Sequence, residues 1–301
     1  MIPAKDDTKP HPFLLWGLIT LMTVFWALNP PIGKVALAHF PPLLLVAIRT
    51  AIAAALIVVV FLARPEQRKP IQAGDWPRLL FLTLGLQIGN QVLFVNGLSR
   101  TSIAHAAFLY ALVPIVVLLM ASAAGQEKVR TKKLLGMAIA IAGVVLLASE
   151  RGGGSAAPTL AGDALAFCAV ACFSGFTVLG KSERARYGSL TLTTIAYVSG
   201  GIALQPVIWG WYRDFPLLEV PWQGWAALLY MAIFPAVIGY LIYFWALGHA
   251  PASKIAAVQY IQPPLATAFG AVALGEGVSA GALWAGGLIL TGVVLTERAK
   301  A

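Results

Sequence analysis

Long apolar runs follow one another through almost the whole of this chain of 301 residues. A helix needs about 20 apolar residues to cross the hydrocarbon core of a bilayer, and only helices and closed barrels satisfy their backbone hydrogen bonds there. Ten such segments can be drawn, at residues 13–33, 41–63, 76–98, 101–122, 133–149, 160–181, 189–211, 222–247, 251–274 and 280–297. The pattern predicts an all-α polytopic membrane protein with ten transmembrane helices and no separate soluble domain.

The charged residues agree with this interpretation. They make up 11% of the chain, against about 25% in an average soluble protein. A net charge of +9 would suggest nucleic acid in a soluble protein, but these basic residues lie in short loops between apolar runs. We therefore expect the lipid bilayer as a partner and no nucleic acid. Cys168 and Cys172 lie one helical turn apart and are expected to pack, so no metal or cofactor is predicted.

The loops also predict the orientation of the chain. If the N-terminus is cytoplasmic, fifteen lysines and arginines fall in cytoplasmic segments and four fall outside: Lys34, Arg100, Arg151 and Arg213. Short cytoplasmic loops carry an excess of basic residues, so both termini are predicted to be cytoplasmic, with tails at 1–12 and 298–301. The first apolar run is too long for a cleaved signal peptide, and the pattern fits a bacterial cytoplasmic (inner) membrane.

The two halves of the chain are related to each other. A shift of 149 positions superposes residues of distinctive type: Trp76 on Trp225, Pro114 on Pro263, Glu127 on Glu276, and Gly143 to Leu146 on Gly292 to Leu295. The first repeat is predicted at 13–150 and the second at 160–297, joined by a Gly/Ser-rich linker at 151–159. Five spans is an odd number, so the second repeat must be inverted relative to the first. Inverted repeats are typical of secondary transporters.

Several stretches in both halves resemble one known family. They are Phe25 to Lys34, Leu44 to Thr50, Asn96 to Ser102, Val113-Pro114, Ala246 to Ser253, Pro263-Pro264 and Gly275-Glu276-Gly277. In these stretches the chain resembles the EamA-type exporters of the drug/metabolite transporter superfamily. The resemblance covers nearly the whole chain and implies a secondary transporter, not an enzyme, that exports small organic metabolites by alternating access. It leaves the cargo open, because one fold carries many functions, and both a monomer and a homodimer are compatible with it.

Two cations within the predicted spans are candidates for binding the cargo. A charge at the centre of a membrane helix costs about 2.5–3.5 kcal/mol on insertion scales, so Arg49 and Lys254 require an explanation. Either side chain suits a substrate carboxylate, and the resemblance implies a basic residue in the ninth span that contacts anionic groups. The alternatives are a structural ion pair or carbonyl contact for Arg49 and a lysine that snorkels to the surface for Lys254.

His105 falls opposite Lys254 when the two halves are aligned. An imidazole titrates near neutral pH, so His105 is a candidate for proton coupling, and a simple hydrogen-bonded histidine is the alternative. No Asp or Glu lies near the middle of a predicted span. Asp163 is expected at the outer end of the sixth span and Glu276 in a loop, capping the helix that follows.

The other candidates are polar, aromatic or proline residues within the spans. Amides and rings suit the wall of a cavity for an organic cargo, although rings also pack against lipid. Prolines interrupt helices, and interrupted spans are the best sequence pointer to a transport site. The predicted substrate-binding residues are Trp26, Asn29, Arg49, Asn90, Gln91, His105, Tyr110, Tyr240, Lys254, Gln259 and Gln262, and the predicted hinges are Pro30, Pro31, Pro114, Pro263 and Pro264.

These residues favour amino acids or related compounds as cargo, because the two cations suit a carboxylate and the rings suit an aromatic side chain. A multidrug, organic-cation or nucleoside exporter of the same fold is the alternative. Gly175 to Ser182 matches the phosphate-loop pattern GxxxxGK[ST], but that loop requires a preceding strand, so no ATP binding is expected. An intramembrane enzyme or a channel is a more distant alternative, and the chain contains no HExxH metal motif.

Overall fold

The computed structural model describes residues 11–126, 131–150, 158–247, 249 and 261–298. Their regular secondary structure is helical throughout, with no β-strand in these ranges. The main helical elements, in chain order, are α1 (Pro12–Leu37), α2 (Pro42–Leu62), α3 (Ala73–Leu98), α4 (Ile103–Ala123), α5 (Thr131–Ser149), α6 (Leu160–Leu179), α7 (Ser189–Trp211), α8 (Trp222–Ile233, Phe234–Gly239 and Tyr240–Leu247 in succession), α9 (Gln262–Leu274) and α10 (Ala280–Arg298). A short helix, Lys181–Tyr187, lies between α6 and α7.

Seven of these elements are long and apolar enough to cross a membrane: α1, α2, α3, α4, α6, α7 and α8. The apolar parts of α5 and α10, Lys133–Ser149 and Ala280–Thr296, are shorter. The predicted all-α polytopic membrane protein is therefore confirmed in its class.

Prolines coincide with interruptions in α1, α4 and α7; in α7 the first segment ends at Ala203, and the second begins at Gln205, one residue before Pro206. In α1 the first segment ends at Ala27, and the second begins at Asn29 with Pro30 in its first turn. In α4 the first segment ends at Tyr110, and the second begins one residue before Pro114. Proline has no backbone N–H and its ring clashes with the preceding turn, so each helix ends and restarts there.

Two other helices contain wide π-helical turns. They occur at Phe81–Ile88 in α3 and at Phe234–Gly239 in α8, where Pro235 is the second residue. Turns of this kind are rare in proteins as a whole, but those that occur are often found at functional sites. Their place within long apolar helices directs attention to the region between α3 and α8.

The bundle has two ends with different loops. At one end the start of α3 contacts the short helix between α6 and α7, through Arg78–Glu183 and Arg186–Asp75 ion pairs. We call this the basic end, because Arg64, Arg68, Lys69, Arg78, Arg184 and Arg186 lie there. At the opposite end, residues 38–41, 99–102, 212–221 and 275–279 connect the helices.

An ion pair at the basic end yields a prediction about stability. The Tyr187 hydroxyl donates to Asp75, and Arg186 Nη1 lies 2.6 Å from Asp75 Oδ2. Because these partners would lose a charge-assisted acceptor that is only one-quarter exposed, Asp75→Ala is expected to cost about 1 kcal/mol of unfolding free energy. Thermal unfolding of the purified protein in detergent measures this loss.

The matched control for Asp75 is Asp214→Ala. Asp214 pairs with Arg213 at 3.5 Å, and both side chains are mostly exposed, so its removal is expected to leave the melting temperature unchanged. Equal shifts for the two variants would contradict the expected difference.

Candidate functional site

A cavity of about 800 Å³ lies inside the bundle, and each helix from α1 to α10 contributes to its wall. Its described lining residues extend from the middle of the helices, at Trp26, Arg49 and Tyr110, to the basic end, at Lys133 and Arg298. The volume is in the range of pockets that enclose small organic molecules.

Among the described lining residues, Arg49 is the charged one in the middle part of this cavity. It lies on α2 and is only 6% exposed. One guanidinium nitrogen, Nη2, donates to Oε1 of Gln91 on α3, whose Nε2 lies 3.5 Å from the Tyr197 hydroxyl on α7. The Nε and Nη1 atoms are buried and have no hydrogen-bond partner within the described part of the chain. Buried charged donors are costly to leave unpaired, so an anion that reached these two atoms would remove that cost.

The charge of the wall is one-sided. Its described lining residues include three cations, Arg49, Lys133 and Arg298, and neither aspartate nor glutamate. An anionic group is therefore favoured inside the cavity, and a cationic group is disfavoured.

Asn90 connects three helices beside Arg49. Its Nδ2 donates to the Tyr110 hydroxyl on α4 and to the Ala169 carbonyl oxygen on α6, the latter at 2.7 Å. The Tyr110 ring meets Phe94 edge-on, with 5.0 Å between ring centroids. These contacts hold the tyrosine ring against the cavity.

Aromatic residues of α1 and α8 form another part of the wall. The Trp26 ring lies 5.6 Å from Tyr240 and 5.5 Å from Tyr243, centroid to centroid. Its indole N–H donates to the Pro235 carbonyl oxygen at 3.1 Å, within the π-helical turns of α8. A Cβ at Gly239 would lie 2.9 Å from the indole nitrogen, so this glycine leaves room for the tryptophan. The wide turns and the ring cluster thus form one unit.

Most of the residues predicted from sequence lie in the cavity wall. They are Trp26, Asn29, Arg49, Asn90, Gln91, Tyr110, Tyr240 and Gln262, together with Pro30, Pro114 and Pro263 of the predicted hinges. Pro31 and Pro264 occupy the first turns of helices beside the cavity but are not in its lining. Lys254 and Gln259 lie outside the described residues. The roles of all these residues remain predictions.

Sequence reasoning missed several lining residues, notably Phe94, Phe173, Thr177 and Tyr197. Tyr197 is the one whose hydroxyl meets the Arg49–Gln91 pair. A tyrosine in the middle of an apolar run was the available signal, because a buried hydroxyl usually finds a hydrogen-bond partner.

His105 does not line the cavity and lies just beyond it, near the opposite end of the bundle. It is 2% exposed, and its Nδ1 lies 3.0 Å from Oδ2 of Asp163 on α6. The Thr101 hydroxyl donates to Oδ1 of the same carboxylate. His105 therefore has a carboxylate partner 58 positions later in the chain. It is not among the residues that line the cavity.

Two further charged residues complete this group. The Lys34 ammonium donates to the Thr101 carbonyl oxygen at 2.5 Å, and the Ile103 N–H donates to Glu276 Oε1 at 2.7 Å. Glu276 thus caps the start of α4, whereas the sequence suggested the helix that follows it. Burial raises the pKa of the Glu276 carboxyl, and the Ile103 N–H, Lys34 and His105 oppose that shift. We call Lys34, Thr101, His105, Asp163 and Glu276 the opposite-end cluster.

The described residues contain no group of three or more His, Cys, Asp or Glu side chains arranged to hold a metal ion.

Comparison with known families gives a match over nearly the whole chain. Residues 14–149 and 160–298 each match the family described as "EamA-like transporter family". The two matched segments are separated by the stretch that the sequence suggested as a linker.

Individual relatives are distant but are covered over most of their length. The chain is 26% identical over 284 residues to the "Uncharacterized transporter YvbV" of Bacillus subtilis, covering 93% of this chain and 90% of the relative. It is 27% identical over 284 residues to a "Probable terminal-alkyne amino-acid exporter" of Streptantibioticus cattleyicolor, covering 94% and 93%. The "Uncharacterized inner membrane transporter YedA" of Escherichia coli is 24% identical over 289 residues, covering 95% and 91%.

A protein crystal structure shares the fold. It superposes with a TM-score of 0.65 at 21% sequence identity, over 94% of this chain and 96% of that one.

Proposed function

We propose, from the premise that this chain belongs to the EamA-like transporter family, that it is a secondary exporter of small carboxylate-bearing metabolites, with amino acids favoured. As a member of that family it is a membrane-embedded transporter. The observation that carries the choice of cargo is Arg49, a buried residue of the cavity wall whose Nε and Nη1 atoms have no hydrogen-bond partner among the described residues. A carboxylate on these atoms would supply the missing charge-assisted hydrogen bonds.

Alternating access between ten spans in two inverted repeats is part of this proposal. Its support comes from related elements: α5 and α10 each have 19 residues and start 149 positions apart. The wide turns of α3 and α8 lie in equivalent parts of the two halves, although α3 starts at the basic end and α8 at the opposite end. Repeats at 13–150 and 160–297, with a linker at 151–159, would give two similar states open to either side.

The orientation proposed from the loops predicts which side of the membrane the cavity extends toward. If the basic end and both termini are cytoplasmic, the cavity lining extends toward the cytoplasm, and the opposite-end cluster lies on the outer side. A bacterial inner membrane is consistent with this, and the name of the Escherichia coli relative includes that location. The proposal does not depend on whether the protein is a monomer or a homodimer.

The same features of the cavity wall can be compared with two other classes of cargo, organic cations and nucleosides. An organic cation would meet three positive charges and no acidic residue in the described wall, so it is disfavoured. A nucleoside has no carboxylate for Arg49, but its base would suit the amides and the Trp26 ring. The relative named as a probable amino-acid exporter adds weight to an amino acid.

Counterflow in proteoliposomes tests the cargo. Vesicles loaded with unlabelled L-phenylalanine are expected to accumulate labelled L-phenylalanine saturably, while protein-free vesicles do not. Phenethylamine, which has the same ring without the carboxylate, is expected to compete at least about tenfold less well, because it lacks a charge-assisted hydrogen bond worth about 1.5–3 kcal/mol.

A channel would give uptake that does not saturate and shows no counterflow. Accumulation of labelled uridine in place of amino acids would contradict the carboxylate proposal and favour the nucleoside alternative. Equal competition by phenylalanine and phenethylamine would remove Arg49 as the anchor of the cargo.

A further inference from the structure

The opposite-end cluster joins several helices at a single point. Lys34 belongs to α1, Thr101 to the connection before α4, His105 to the start of α4, Asp163 to α6, and Glu276 to the segment before α10. The contacts between them are the 3.0 Å His105–Asp163 pair, the 2.5 Å bond from Lys34 to Thr101, and the 2.7 Å bond from Ile103 to Glu276. Opening this end of the bundle requires that these contacts separate.

The cluster lies directly beyond the cavity. Ala106 and Ala107, which follow His105 on α4, line the cavity wall. His105 and Asp163 are 2% and 6% exposed and do not line it. The cluster therefore lies between the described cavity and the opposite end.

The charges that face His105 can be counted. Asp163 comes from α6 and Glu276 from the segment before α10, and Lys34 from α1 approaches Glu276. The ends of α3 and α9 beside the cluster carry no charged residue, and the Arg100 side chain is exposed. With a neutral imidazole the group holds two negative charges and one positive charge. One added proton makes it electrically neutral.

We propose that His105 and Asp163 form a proton-binding site whose occupancy holds the opposite end of the bundle closed. A protonated imidazole forms an ion pair with Asp163, whereas a neutral one forms only a hydrogen bond. Acid at this end thus favours the arrangement in which the end is sealed, and loss of the proton weakens the seal. The only chemical change is the transfer of one proton between water and the imidazole.

This site deepens the proposed function, since it links a proton to the change of access that alternating transport requires. With the basic end in the cytoplasm, acid outside the cell would return the transporter to the state in which its cavity reaches the cytoplasm. Its test is designed to need neither a cargo nor a membrane orientation.

Amide hydrogen exchange of the full chain in detergent measures how often the opposite-end cluster opens. The Ile103 N–H donates to Glu276 in the closed cluster, so peptides covering residues 99–105 and 275–279 report its opening. After correction for the chemical exchange rate, their protection is expected to fall about tenfold between pH 5.5 and pH 7.5, within the limit of one decade per pH unit for a single linked proton. Peptides of α2 are expected to keep their protection and show that the bundle stays folded.

His105→Gln and Asp163→Asn keep the side-chain shapes and remove the titration. Both variants are expected to show the low protection of the wild type at pH 7.5 across the whole range, with less than about a twofold change. His39→Gln removes a histidine at the same end that has no carboxylate within ion-pair distance in the described residues, and it is expected to behave like the wild type.

Protection that does not depend on pH in the wild type would overturn the proposal. So would a pH dependence that survives in both variants or disappears equally in His39→Gln. Failure of counterflow would leave these measurements intact, so the two proposals can fail separately.

Discussion

Arg49→Leu is expected to reduce counterflow of L-phenylalanine by more than an order of magnitude. Leucine keeps the apolar stem but removes the guanidinium, whose Nε and Nη1 atoms have no hydrogen-bond partner in the described part of the chain. Truncating one partner of a buried charge pair costs about 2–5 kcal/mol, much of it the penalty of leaving the other charge unpaired. The rate at low substrate concentration is therefore expected to fall at least about thirtyfold, measured in proteoliposomes that contain equal amounts of protein.

The thermal stability of Arg49→Leu is not expected to fall with its transport rate. Arg49 has no acidic partner among the described residues, and a buried charge without a counter-charge is unfavourable, so the melting temperature of Arg49→Leu is expected to stay level or rise. A loss of transport in a stable protein would distinguish a binding role from a structural one. A large fall in melting temperature together with lost transport would identify the Gln91 contact as the main role of Arg49.

Two variants serve as controls for Arg49. Lys133→Gln removes a positive charge from the same cavity wall at the basic end and is expected to change the rate by no more than about twofold, because that position is near bulk water. Arg49→Lys keeps the charge without the planar donor geometry, and an intermediate rate is expected. Wild-type counterflow in Arg49→Leu would exclude the carboxylate contact.

Gly292→Ala is expected to destabilise the bundle strongly. A Cβ at this position would lie 2.4 Å from the Ala140 backbone nitrogen and the Gly136 carbonyl oxygen on α5. Both contacts are with backbone, so the two helices must separate along their length. Small residues permit such close helix packing in membranes, and overpacking typically costs about 1–3 kcal/mol. Thermal unfolding in detergent is the measurement, with a fall of several degrees expected.

The same helix supplies a control for Gly292. Nothing lies within 4 Å of a Cβ at Gly287, which is exposed on α10. Gly287→Ala is expected to leave the melting temperature level or raise it slightly, because alanine favours a helix by roughly 0.5–1 kcal/mol over glycine. Similar losses for both variants would show that the cost comes from removing glycine from the helix and not from the α5–α10 contact.

The candidate site was partly predictable because polar residues and prolines are easy to recognise within apolar membrane helices. A polar group or proline inside an apolar run is costly toward lipid, so it must face protein or a cavity. This is why Arg49, Asn90 and Gln91 were selected from sequence, and all three line the cavity. Tyr197 was missed because a tyrosine also suits a lipid interface, and its apolar run contains no charged residue.

The membrane class, the helical content and the relation between the two halves are all predictable from the amino-acid sequence. Each of these depends on local hydropathy or on residue type at a constant spacing, and none of them requires knowledge of neighbours in space. The partners within the sites become known only once the helices are packed together. Arg49 meets Gln91 and His105 meets Asp163 across 42 and 58 positions of chain. Such pairs form only where helices pack closely, as at Gly97 against Ala166, and helix packing depends on side-chain shape across the whole bundle.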